Sequence, residues 1–131
     1  GRARTAARQF WGEPDFQRQV LPGVWWFSTP GHGGLVIADT FGLDPRAIEQ
    51  RGMTGNDVSW TNSATGETVL TFYGFEEDVD WAAAVVFHPE IAEAAIRKGG
   101  IFGPESTTED INDHAKQALH WQNEYRARKE N

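Results

Sequence analysis

Apolar positions along the chain follow two different periods, and the change falls near residue 75. Before it, Val24-Trp25-Trp26-Phe27-Ser28 and Leu35-Val36-Ile37-Ala38 are β-branched and aromatic runs of strand length. Thr29-Pro30-Gly31-His32-Gly33-Gly34 joins them, and three Gly with a Pro defeat both regular structures, so the pair reads as a hairpin. Both strands are continuously apolar, which places the hairpin centrally in a sheet or under cover on both faces. Ser59-Trp60-Thr61 and the run Thr68 to Tyr73 read as two more strands about the turn Asn62-Ser63-Ala64-Thr65-Gly66. Asp44-Pro45 opens a short helix that Gly52 closes, and residues 53–59 are polar and irregular. Trp11 to Gln19 reads as an ordered lead-in lying on the core. Residues 1–10 lack periodicity, and are expected either to fray or to form a short helix through Ala6-Ala7-Arg8.

From Glu76 the spacing turns helical. Trp81, Ala82, Val85 and Val86 recur on one face until His88-Pro89, a boundary because the residue before proline avoids helical angles. A second helix spans Pro89 to Lys98, with Gly99 as its C-cap, and Gly99 to Pro104 is a loop. The last helix begins with a capping-box pattern at Ser106-Thr107-Thr108-Glu109-Asp110 and runs to about Arg128. Ile111, Ala115, Ala118 and Leu119 face inward, with Trp121 and Tyr125 continuing that stripe. Strands before and helices after residue 75 imply an α+β fold. We expect an antiparallel sheet of about four strands, with the three later helices packed on one face. No repeat or linker divides the chain, so residues 1–131 read as one domain.

Composition narrows the function. Cysteine is absent, which excludes a disulfide framework, a thiolate zinc site and a cysteine nucleophile, and suits a reducing, cytoplasmic setting. No apolar run reaches the roughly 20 residues of a membrane-spanning helix, and no apolar segment follows the basic N-terminus as in a signal peptide. Residues 19–123 carry five basic and fifteen acidic side chains, a net of −10. Such a body repels phosphate backbones, so no direct nucleic-acid contact is expected, whereas a basic protein surface is attracted. The same acidity also serves solubility alone.

Two segments could carry chemistry. Glycines beside His32 let a ligand approach the backbone closely, and a neutral imidazole there binds metal or moves a proton. The loop equally serves as a plain turn. Glu76-Glu77-Asp78-Val79-Asp80 offers carboxylates to a hard cation, or places acids in the first turn of a helix where its dipole favours them. On a helix, Glu76 and Asp80 share a face. His32 and Glu77 are thus the catalytic candidates, and His32, Glu76, Glu77, Asp78 and Asp80 the metal candidates. Trp25, Trp26, Gly33, Gly34 and Trp81 are the binding candidates, with core packing expected for one of Trp25 and Trp26. His88 reads as a helix-junction residue. His114 and His120 fall on different faces of the last helix, and no helical zinc pair, nucleophile elbow or phosphate loop occurs.

The Thr29 to Gly34 loop, followed by Phe75-Glu76-Glu77-Asp78 and Trp81, resembles an uncharacterised domain family of phage and plasmid proteins. Its pattern is a Thr-Pro-x-His-Gly-Gly loop and an aromatic-Glu-Glu-Asp-Cys helix start. The resemblance spans roughly residues 24–96 and departs from that pattern at Val79, where Cys is expected, and at Phe75, where Tyr is commoner. It implies a viral or mobile-element origin, carries no activity with it, and draws attention to His32, Glu76, Glu77 and Asp78. These could equally form a buried pair pinning hairpin to helix. The leading expectation is a non-enzymatic protein, without cofactor, that binds a basic host protein, for example as inhibitor of a nucleic-acid-handling defence factor. The alternative is a metal-assisted hydrolase using a divalent metal, His32 and the Glu76–Asp80 carboxylates. A third is a structural accessory domain, dimeric through exposed aromatics.

Overall fold

A computed structural model describes residues 1–52, 57–102 and 106–130. Residues 53–56, 103–105 and 131 lie outside the described residues, and with them part of the stretch 53–59 read as irregular and of the loop read over 99–104. Among the described residues eleven elements follow in order. They are helix α1 (Arg2–Trp11), strands β1 (Phe16–Leu21), β2 (Val24–Ser28) and β3 (Gly33–Ala38), and a 3-10 turn (Asp39–Phe41). Then come α2 (Pro45–Glu49), β4 (Val58–Thr61), β5 (Thr68–Glu76), α3 (Trp81–Phe87), α4 (Glu90–Lys98) and α5 (Thr108–Glu130). The strands form one antiparallel sheet ordered β1-β2-β3-β5-β4, which is α+β as expected but with five strands.

The extra strand is β1, an edge strand. Gln17, Arg18 and Gln19 are exposed, and only Val20 is fully buried, so its apolar pattern is faint. At the centre lies β3, buried at all six positions. Successive side chains there point to opposite faces. Leu35 and Ile37, with Val24 and Phe75, pack beneath α3, α4 and α5, together with Ile91, Ala95, Ile111 and Ala115. Val36 and Ala38, with Phe27 and Phe72, face α1 through Ala3, Ala6 and Ala7. Full burial of a Leu, Ile or Phe side chain contributes about 1.5–3 kcal/mol, so the helical face supplies most of the cohesion. The first residues therefore form a helix covering the sheet's second face. Its buried alanines bring the helix backbone close without offering the large apolar side chains by which such a stripe is recognised.

Helix α5 starts at a reciprocal capping box. The Asp110 amide donates to Thr107 Oγ1 (3.1 Å), and the Thr107 amide donates to Asp110 Oδ2 (3.4 Å). Ile111, Ala115 and Leu119 are buried, but Trp121 and Tyr125 are 63% and 60% exposed, contrary to the inward stripe expected for them. Beyond Leu119 the docking becomes polar. Gln122 Nε2 donates to the Gln50 carbonyl (2.9 Å) and Arg126 Nη2 to the Arg51 carbonyl (2.8 Å). With those side chains turned to the body, the two aromatics lie exposed beside them.

Candidate functional site

The hairpin sets His32 in place. The Thr29 amide donates to the His32 carbonyl (2.7 Å), and the His32 amide donates to Thr29 Oγ1 (3.0 Å), closing the loop between β2 and β3. Pairing of β3 with β5 puts Gly34 opposite Glu76, and the Glu77 amide donates to the Gly33 carbonyl (2.8 Å). That register carries the imidazole to the acidic segment. His32 Nδ1 lies 3.7 Å from Glu76 Oε1, too long for a hydrogen bond but within ion-pairing range when the ring is protonated.

The two partners differ in environment. The His32 side chain is 62% exposed, whereas that of Glu76 is 7% exposed. Glu76 Oε2 accepts from the Asp78 amide (2.8 Å), while Oε1 is buried with no hydrogen-bond partner. Burial pushes the Glu76 carboxyl above the usual carboxylate range; the Asp78 amide opposes this, and the charges of Asp78, Glu77 and Asp80 add to it. Glu77 is half-buried and Asp78 exposed, and one oxygen from each of residues 76, 77 and 78 lies within 4.8 Å of the other two.

These acids do not open a helix. Glu76 ends β5, a turn occupies residues 77–80, and α3 begins at Trp81 with no acid in its first turn. The helix dipole therefore does not account for Glu76, Glu77 and Asp78, which sit in the strand end and turn. Asp80 stands apart from them. It is fully buried and accepts from the Gly52 amide (2.7 Å), tying the segment after α2 to the start of α3.

Gly33 and Gly34 have a packing role. A Cβ on Gly33 would stand 2.5 Å from the Phe27 carbonyl oxygen. One on Gly34 would collide with the Phe75 carbonyl oxygen and stand 2.9 Å from its carbon. Backbone proximity thus explains both glycines, whereas Pro30, Gly31 and His32 at the loop's tip are exposed.

The tryptophans divide between the faces. Trp25 packs edge-on against Phe72 on the α1 side (6.0 Å between ring centroids). Trp26 and Trp81 lie on the other side, flanking Phe102 at 6.1 and 5.6 Å. They wall a cleft of about 460 Å³ whose polar lining includes Glu77, Asp78, Asp110 and His114, the last set edge-on to Trp81 at 5.6 Å. Glu77 and Asp78 therefore belong both to the carboxylate group and to this cleft. Phe102, Asp110 and His114 were not legible as site residues; the capping box marked Asp110 only as a helix start. His88 is structural, its Nε2 accepting from the Asp44 amide (2.9 Å) and its ring meeting Phe41. A sequence reading also misses Arg51. It bonds Asp57 Oδ1 (2.7 Å) and the Gly74 carbonyl (3.1 Å), with its guanidinium over the rings of Phe75 and Tyr73.

Among the described residues no helix is long and apolar enough to cross a membrane. Comparison with curated proteins and with solved structures gives no match. The family described as a domain of unknown function, DUF7007, matches residues 4–130, and the chain belongs to it.

Proposed function

We propose that the domain holds a divalent cation on Glu76, Glu77 and Asp78 and carries out metal-assisted hydrolysis beside it, with His32 as general base. One observation carries this reading. Glu76 Oε1 is buried without a hydrogen-bond partner, in a group of three carboxylates and next to an exposed imidazole. An ionised oxygen so placed is costly, and a cation offsets that cost. Oxygen donors suit Mg²⁺, Mn²⁺ or Ca²⁺. The exposure of Asp78 leaves room for water in the coordination sphere. Held on Glu76, Glu77 and Asp78, such an ion would lower the pKa of a neighbouring water, and the exposed His32 ring would be placed to take up a proton.

Calorimetric titration with each ion tests the reading. A single site is expected in the parent chain, with loss of binding in Glu76→Gln. The His32→Ala variant is expected to keep the ion and lose turnover on phosphoester and ester substrates. Absence of saturable binding by any of the three ions at millimolar concentration would remove the proposal.

The acidic body supports a second reading, in which the chain acts without catalysis by docking on a basic protein of a phage or plasmid host. Acids and aromatics sharing one cleft favour it. Partner binding that persists in EDTA, with no hydrolysis, would favour this second reading over the first.

A further inference from the structure

We infer that the cleft between β2, α3 and the start of α5 is a receptor for the guanidinium of an arginine side chain presented by a basic partner protein. The inference deepens the second reading, docking on a basic protein, and does not require the cation, although Glu77 and Asp78 belong to both sites. Trp26, Trp81 and Phe102 form its apolar wall, while Glu77, Asp78 and Asp110 line the same cavity of about 460 Å³. Aromatic faces next to carboxylates select organic cations, because the ring quadrupole attracts positive charge and the carboxylates accept its hydrogen bonds. Arginine fits better than lysine. Its planar fork stacks on indole and bonds carboxylate with two parallel donors, and it is less strongly hydrated than an ammonium. Charge complementarity extends beyond the cleft, since the whole chain carries a net −7 and attracts a basic surface. A larger hollow, of about 670 Å³, lies along Trp121 and Tyr125 and is lined by Arg126 and Lys129. It lacks acids, which makes it an internal control.

The test compares acetyl-Gly-Arg-Gly-amide with its citrulline counterpart, which keeps the shape and lacks the charge. Each is titrated into the full chain in EDTA, read by NMR of the indole signals. The arginine peptide is expected to shift the Trp26 and Trp81 signals saturably, with the citrulline peptide about tenfold weaker. Binding should weaken as salt rises. The Asp110→Asn change removes a cleft charge but keeps a capping oxygen, so the fold is retained. It should weaken the arginine peptide about fivefold and leave divalent-cation binding intact, because Asp110 lies outside the three-carboxylate group. Equal binding of the two peptides, or shifts at Trp121 without shifts at Trp26 and Trp81, would overturn the inference. Failure of the arginine peptide alongside intact Mg²⁺ binding sinks this inference and leaves the cation reading standing.

Discussion

Replacing Gly34 by alanine, beside the companion change His32→Ala, separates what the loop does for the fold from what it offers to a ligand. The Gly34 Cβ would stand 2.9 Å from the Phe75 carbonyl carbon and 3.0 Å from Glu76 Cα. Carbon atoms pack best at roughly 3.5–4.0 Å, and the Phe75 carbonyl oxygen is nearer still, so β3 and β5 must part by about 1 Å or more at the centre of the sheet. Inserting a methyl group into a packed region costs about 1–3 kcal/mol, and here the obstacle is backbone on a central strand pair, which puts Gly34→Ala near the upper end. For a domain of this size, about 3 kcal/mol lowers Tm by about 10 °C. The same separation pulls Glu76 away from His32, so cation affinity should fall with stability. The His32 side chain is 62% exposed and should change stability by less than about 0.5 kcal/mol when truncated. Urea denaturation of both variants provides the comparison. A Gly34→Ala protein as stable as the parent would refute the steric reasoning. A His32→Ala protein destabilised by more than about 1.5 kcal/mol would show a structural clasp instead of an open site.

Further consequences concern the buried charges. Asp80→Ala leaves the Gly52 amide without its acceptor and is expected to cost about 3 kcal/mol, read by the same denaturation; a neutral result would show that Asp80 is not a tie. Glu76 has a folded-state pKa raised by burial, so the native state binds more protons than the unfolded chain between the ordinary carboxylate pKa and the raised one. Stability in EDTA should therefore fall as pH rises through that window, and Glu76→Gln should flatten the fall; an unchanged pH profile would contradict the assignment. Arg51→Ala removes a guanidinium that bonds Asp57 and the Gly74 carbonyl and covers two rings, and should cost about 2–4 kcal/mol, with Tm falling accordingly. No loss would mean that the guanidinium adds nothing to the packing beneath β5.

How legible each part was depended on where its side chains point. The β2–β3 hairpin stood out because Leu35 to Ala38 are buried on both faces, Val24 and Phe27 are buried with Trp25 and Trp26 half-buried between them, and nothing polar interrupts either run. Strand β1 did not, because an edge strand with Gln17, Arg18 and Gln19 in solvent lacks the signal that burial imposes. Helix α1 buries Ala3, Ala6 and Ala7, residues too small to mark an apolar face. Helical spacing extended to Trp121 and Tyr125, yet inward contacts there pass to Gln122 and Arg126, whose partners are backbone carbonyls that no periodicity announces. The pairing of His32 with Glu76 was open to sequence reading only as a wager on two motifs. The Gly34–Glu76 register decides it, and strand register depends on the whole sheet. The misplaced helix start had the same origin, since four acids before Trp81 resemble a first turn but occupy a strand end and a turn. Asp110 and His114 reach the cleft only through the packing of α5.

The most direct measurement of the central claim is paramagnetic broadening by substoichiometric Mn²⁺ in NMR spectra of the intact chain. Selective loss of signals from the His32 ring and from the amides of Gly33, Glu76, Glu77 and Asp78, with Trp60 and Trp121 unaffected, is the predicted result. Uniform broadening, or broadening centred on acids elsewhere with residues 76–78 sharp, would contradict it.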